Sequence, residues 1–515
     1  MQHVIFLAAE NGALRGGKVG GVGDVVRDLP AALVDAGWQA TVVTPSYGMF
    51  HLLPGSKCIG TIDVLFRGGS QSVDIFEVPG TKPQVHNIAF EHEIFSPHGP
   101  GKVYCSDEPE RPFATDADKF AFLAAVAATW IDQLPQLPDV VHLHDLHAAT
   151  YCVLRSFADG FARLQSVRTV FTIHNLSYQG IRPISDDSSS LEAWFPELRY
   201  THSTVRDPHL AQCFNPMATA IRLADRISTV SPTYATEICE PSNDDLGFIG
   251  GEGLEDELSA ARDDDRLTGI LNGCNYTSPK GRRPGWQRIL TVASEQIGDW
   301  LAAYPASRIH AIAKRRLESF PRRRPKHVLT SIGRLVRQKA SLLVEIMPDG
   351  RSALEHVLDN LGGDGVAIVL GSGEPEFENR MADIAEHASN LLFLCGYSET
   401  LAEPLYRSGD LFLMPSSFEP CGISQMLAMR AAQPCVVHGV GGLRDTVEDE
   451  RTGFVFSGAT TQEQARNFID SVSRALTVKS EENDRWQSIC IRAASRRFSW
   501  AETAKQTIEN LYVRA

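Results

Sequence analysis

The 515-residue chain has no apolar run near the ~20 residues that cross a bilayer. It also has no basic segment leading into an apolar stretch and a small-residue cleavage site, since the run Val4–Ala9 is six residues long. Neither membrane insertion nor secretion is expected. Positive charge is scarce: the net charge is −14, and nucleic acids or acidic membranes need a broad positive field. Any anionic ligand must therefore meet a local basic site. The ten cysteines show no C-x-x-C pair and no framework spacing, and Cys152, Cys213 and Cys435 lie in apolar context. Reduced thiols in a cytoplasmic setting, without a zinc site, are the expectation. A P-loop and a Gly-x-Ser-x-Gly elbow are missing, and the first strand is not followed directly by Gly-x-Gly-x-x-Gly. That disfavours a dinucleotide oxidoreductase. No metal or cofactor is expected.

What is present reads as a globular protein of two or three domains, with 43% hydrophobic and 22% charged residues. Short apolar runs alternate with helical patterns: Val4–Ala8, Ala40–Thr44, Val140–Leu143, Thr169–Ile173, Ile227–Val230 and Leu267–Leu271. The series restarts with Val328–Ile332, Val366–Leu370, Leu391–Leu394, Leu411–Met414 and Cys435–His438. This is an α/β pattern of two doubly wound, Rossmann-like domains with parallel sheets, joined near residues 272–280. Ligands of such sheets bind beyond the carboxyl ends of the strands. Ile94–Pro112 and Ile184–Glu197 read as polar surface insertions, and Lys314–Lys326 as a solvated helix face leading into the second domain.

Four loops carry chemistry. Lys18-Val19-Gly20-Gly21-Val22-Gly23-Asp24-Val25 lies between a strand and a helix, where backbone N–H groups, the helix dipole and Lys18 suit a phosphate and Asp24 can cap the helix. Arg334 follows a strand end with Lys339 five residues on, a forked contact and a point charge for a pyrophosphate. Glu419 precedes Cys421, Gly422, Ile423 and Ser424 at a strand-to-helix loop, a carboxylate for sugar hydroxyls beside amides for phosphate oxygens. Gly439–Leu443 forms a second glycine turn on the same rim. His144-Asp145-Leu146-His147 and His174-Asn175 also follow strands, and the imidazoles of His147 and His174 suit sugar hydroxyls. Convergence of His142, His144 and His147 on a metal is a weaker alternative.

Taken together, these motifs resemble the bacterial glycogen synthase and plant starch synthase family. The resemblance runs from Lys18–Val25 through His144-Asp145-x-His147, Thr172-x-His174-Asn175, Val230–Ala235, Leu271-Asn272-Gly273, Gly333–Lys339 and Phe418–Gly422 to Phe498-Ser499-Trp500. It implies a GT-B fold, two facing Rossmann-like domains with an interdomain cleft. The expected divisions are residues 1–272, 273–497 and a helix over 498–515 returning to the first domain. It implies retaining transfer of glucose from a nucleotide-sugar, usually ADP-glucose, to the non-reducing 4-hydroxyl of an α-1,4-glucan. By position, Arg334 and Lys339 neutralise the departing diphosphate, and Glu419 with Cys421 and Gly422 holds the glucose. Lys18, Gly20 and Gly21 contact donor phosphate and sugar; His174 and Asn272 complete the pocket, with Asp24 and His147 supporting. Departures from the family pattern are the longer Gly16-Gly17 approach to Lys18, Asn275 for aspartate, Ser417 for arginine and Ala340 for glycine. The alternatives are a related transferase using UDP-glucose or a small acceptor, and a glucan-binding regulatory relative with weak catalysis.

Overall fold

Continuous apolar runs bounded by turn residues become strands covered on both faces. In the computed structural model, which describes residues 1–243, 247–276 and 283–513, the first series contains β1 (His3–Leu7), β2 (Gln39–Pro45), β3 (Lys57–Phe66), β4 (Gly69–Glu77), β5 (His86–Glu91), β6 (Val140–His144), β7 (Arg168–Ile173), β8 (Arg182–Pro183), β9 (Cys213–Phe214), β10 (Arg226–Thr229) and β11 (Leu267–Gly269). The second contains β12 (His327–Ile332), β13 (Gly365–Leu370), β14 (Leu391–Leu394), β15 (Leu411–Met414), β16 (Cys435–His438) and β17 (Phe454–Phe456).

The chain divides into two units. Met1–Ser242, Gly250–Gly273 and Ser499–Ala515 form the first; Asn243–Ile249 and Cys274–Phe498 form the second. The first unit's sheet runs β11-β10-β7-β6-β1-β2-β5-β4-β3. It is parallel from β11 to β5, but β4 pairs antiparallel with both β3 and β5. The parallel sheets expected from the sequence are present, and β3 and β4 extend the first of them as an antiparallel edge. β3 alternates, with Ile62, Val64 and Phe66 buried between exposed neighbours, so one face stays in solvent and no continuous apolar run marks it.

Val25, Val26, Leu29 and Leu33 of the helix Gly21–Asp35 pack with β1 and β2 and with Ala504, Leu511 and Tyr512 of the C-terminal segment. Thr503 Oγ1 donates to the Leu271 carbonyl at 2.9 Å, and a side chain on Gly273 would strike Trp500. The last helix therefore belongs to the first unit's core.

The second unit's sheet, β14-β13-β12-β15-β16-β17, is parallel throughout. Helices Trp286–Ala303 and Arg308–Ser319 bury Ile289, Leu290 and Leu317 against Val328, Val366 and Leu392. On the other face lie Leu354, Val357, Phe468 and Val472. The basic stretch is partly neutralised: Arg315 pairs with Glu386, and Arg324 with Asp410 at 2.7 Å. Among the parallel strands each sheet reverses its order at one place, between β1 and β6 in the first and between β12 and β15 in the second. Loops leaving a sheet on either side of such a switch splay apart and leave a crevice, which is where each unit's site is expected.

Candidate active site

In the first unit the crevice is built on Glu10, which follows β1. Its carboxylate is buried and accepts the backbone N–H groups of Val19 at 2.8 Å, Gly20 at 2.7 Å and Gly23 at 3.2 Å. Tyr104, from the 94–112 insertion, donates its hydroxyl to the other Glu10 oxygen at 2.9 Å. The glycine loop's amides are thus engaged by an internal anion at Gly20 and Gly23, and Gly21 opens onto free space. Lys18 pairs with Asp24 at 2.9 Å, and Asp24 also pairs with Arg27 at 3.0 Å. Asp24 does not cap the helix, as the sequence suggested: the cap residue is Gly20, and Asp24 sits inside the first turn. The extra Gly16-Gly17 approach closes on itself. Asn11 N–H bonds the Gly17 carbonyl at 2.9 Å, Gly17 N–H bonds that of Leu14 at 3.0 Å, and Ala13 and Leu14 are buried. The added residues form a tucked buckle that brings Lys18 back beside Glu10; a side chain on Gly17 would strike the Asn11 carbonyl.

Across the switch, β6 and β7 deliver the histidines. His144 Nδ1 and His174 Nε2 share a hydrogen bond at 2.9 Å, and the His174 backbone N–H is held by Asp145 Oδ1 at 2.7 Å. Asp145 is in the left-handed region (φ 55°), and burial pushes its carboxyl up to about 7. Burial lowers His174 to about 4 and His147 to about 3, so both rings are neutral hydrogen-bonding groups. His147 packs against Tyr104 and Phe120, with ring centroids 5.2 and 4.6 Å away. His142 stacks on His144 with ring centroids 4.5 Å apart, and its two nitrogens are taken by Tyr512 at 2.7 Å and Thr172 at 2.6 Å. Among the described residues no group of three His, Cys, Asp or Glu is placed to hold a metal, the histidines named as a metal alternative included. Asn272 borders a small cavity of about 20 Å³ lined by His142, His144, Thr172 and Ser228.

In the second unit, Lys339 and Glu419 meet at 2.9 Å, with the carboxylate buried and Ser416 Oγ 3.5 Å away. Gln338 stitches the two loops together: its carbonyl accepts the Ser417 N–H at 2.9 Å and Oγ–H at 3.1 Å. Arg334 is exposed and makes no ion pair among the described residues. It lines a cavity of about 30 Å³ with Gly333, Lys339, Pro415 and Ser416. One packing contact was not foreseen from sequence: Gly371 follows β13, and a side chain there would lie 1.9 Å from the carbonyl oxygen of Gly333, which lines the cavity. Cys421 is buried, and Gly422 is left-handed (φ 74°) just ahead of the helix Ser424–Arg430. Gly441 and Gly442 let the next turn press on the Glu419 and Cys421 carbonyls. The residues that sequence reasoning left unassigned, Glu10, Tyr104, Asp145 and Gly371, act by positioning others, and only Glu10's place after β1 signalled it.

Two doubly wound units, each with a polar site at its strand-order switch, define a GT-B glycosyltransferase. Residues 3–260 match the starch synthase catalytic domain, and residues 326–477 match glycosyl transferases group 1. The chain is 32% identical to the glycogen synthase of Streptococcus sanguinis (strain SK36) over 99% of both chains. It is 30% identical to that of Desulfitobacterium hafniense (strain DSM 10664 / DCB-2) over 96% of each. Its structure is similar to the catalytic domain of starch synthase IV from Arabidopsis thaliana bound to ADP and acarbose, with TM-score 0.77 and 26% identity, covering 99% of this chain and 98% of that one. Sucrose-phosphate synthase from Thermosynechococcus elongatus shares the fold at TM-score 0.54 and 16% identity, over 99% and 98% of the two chains. The chain belongs to the glycogen synthase and starch synthase family.

Proposed function

We propose that the protein extends an α-1,4-glucan by moving glucose from ADP-glucose to the non-reducing 4-hydroxyl, with retention of configuration. The observation that carries this reading is the half-buried Lys339 paired with the buried Glu419, beside the guanidinium of Arg334, which makes no ion pair among the described residues. The bond from the anomeric carbon to the diphosphate breaks with negative charge building on the departing oxygens. Arg334 and Lys339 are fixed cations for that charge, which stabilises the transition state without a proton relay. Glu419, already engaged by Lys339, is assigned to sugar hydroxyls rather than to covalent attack. With no protein nucleophile, retention requires the acceptor hydroxyl to arrive on the face the diphosphate leaves. Its proton then passes to a departing phosphate oxygen as the new glycosidic bond forms.

In the first unit the same reading assigns Lys18, Gly20 and Gly21 to the donor, His174 and Asn272 to the glucosyl group, and Asp24 and His147 to support. Gly20 acts there through its hold on Glu10. The relatives named glycogen synthase, and the starch synthase IV structure bound to ADP and acarbose, support this choice of donor and acceptor. The test is nucleoside diphosphate release from ADP-glucose and UDP-glucose, each with and without glycogen. Glycogen-dependent ADP release is expected; release from UDP-glucose alone would overturn the donor assignment.

A further inference from the structure

Few large aromatic side chains stand in solvent, and two of them touch. Phe113 and Tyr178 are 38% and 62% exposed, their ring centroids 5.9 Å apart with planes at 72°. Phe113 occupies the left-handed region (φ 60°), which a bulky residue rarely adopts and which signals a conformation held by its surroundings. Arg111 bonds Asp187 at 2.6 Å and Ser188 at 2.9 Å, and Arg182 bonds the Pro112 carbonyl at 3.1 Å. These contacts latch the two polar insertions together immediately before Phe113. The backbone around Tyr178 is pinned as firmly. Leu176 N–H donates to Tyr234, Ser177 N–H to Asn175, and Gln179 bonds both Asn215 and the Glu252 carbonyl.

We propose that Phe113 and Tyr178 form a stacking platform for the glucan acceptor, an inference that rests on the reading above. A pyranose ring offers an apolar C–H face rimmed by hydroxyls. Two aromatic rings, with Gln179 next to Tyr178 and Ser188 held to Arg111 just before Phe113, match that pattern. A protein interface would need a far wider apolar patch. Tyr178 follows His174 by four residues, at most about 14 Å of extended chain, so a glucan ending at His174 reaches the platform within a few units.

The test compares acceptor KM for maltoheptaose and glycogen, and maltoheptaose binding by calorimetry without donor, in the full chain and its variants. Phe113→Gly and Tyr178→Ala are each expected to raise acceptor KM about tenfold, with donor KM moving less than twofold. Phe113→Gly should also raise Tm, because glycine relieves the left-handed strain while removing the ring. A ring with only a structural role would not weaken acceptor binding while stability rises. Acceptor KM within twofold for both variants, in a protein that does transfer glucose, overturns the platform and leaves the transferase reading standing. If the unsubstituted protein turns over no donor yet binds maltoheptaose, and Tyr178→Ala weakens that binding about tenfold, the platform stands and the transferase reading falls. Absence of any maltoheptaose binding overturns the platform.

Discussion

The Glu10 carboxylate takes the Gly20 amide at 2.7 Å, so the glycine loop is organised by an anion of the protein's own. Lys18, two residues before Gly20, owes its position to that contact. Glu10→Gln leaves one oxygen to accept but removes the charge that strengthens three amide bonds. The expected cost to the first unit is about 2 kcal/mol, with turnover falling more than stability. Thermal melts alongside initial rates check this; unchanged rates would separate the loop from catalysis.

Lys339 and Glu419 are expected to behave as one device. Lys339→Ala and Glu419→Ala should each lower turnover at least about 100-fold without unfolding the second unit. The double variant should fall little further, because groups acting together are strongly non-additive. Multiplying losses in the cycle would show that the pair acts independently.

Gly371 and Gly333 give a contrast that tests the backbone packing behind the second unit's site. Gly371→Ala drives a methyl into the Gly333 carbonyl, backbone against backbone, and is expected to cost about 3 kcal/mol. Gly333→Ala faces open space and should leave stability near its original value while raising donor KM. Equal melting temperatures for the two variants would contradict the packing.

Acid should weaken the first unit through its histidines. Burial holds His142 and His147 at about 3 and His174 at about 4, all below the ordinary 6.5. The unfolded chain binds protons there that the fold refuses, so their contribution is complete above pH 6.5 and is lost as pH falls toward 4 and below. Asp145, pushed up to about 7, works in the opposite sense: its contribution falls as pH rises from about 4 to 7. The histidines outnumber it, so the net change between pH 6.5 and 4 is a loss of stability on acidification, about 1.4 kcal/mol per pH unit for each net proton. Urea midpoints at pH 7.5 and 5.5 measure it, and His147→Gln should flatten the slope.

Strand runs such as Val366–Leu370 were legible because a strand buried on both faces is apolar throughout. β3 was not, because its first half is exposed and the rest alternates, so no continuous apolar run marks it. Lys339 and Glu419 could be named from their loops, but their 2.9 Å pairing depends on β12 and β15 being neighbours. Topology decides that, not local sequence. Asp145 and Tyr104 escaped for a related reason: each acts on a partner 29 or 94 positions away. The Gly16-Gly17 extension looked like a lengthened path to Lys18, yet its own backbone bonds fold the added length away.

Transfer of carbon-labelled glucose from ADP-glucose to maltoheptaose, followed by NMR of the product's new anomeric centre, tests the central claim most directly. The account requires an α-linked unit at the non-reducing 4-position, formed with ADP in equal amount. A β-linked product, or ADP released together with free glucose and no chain extension, would contradict it.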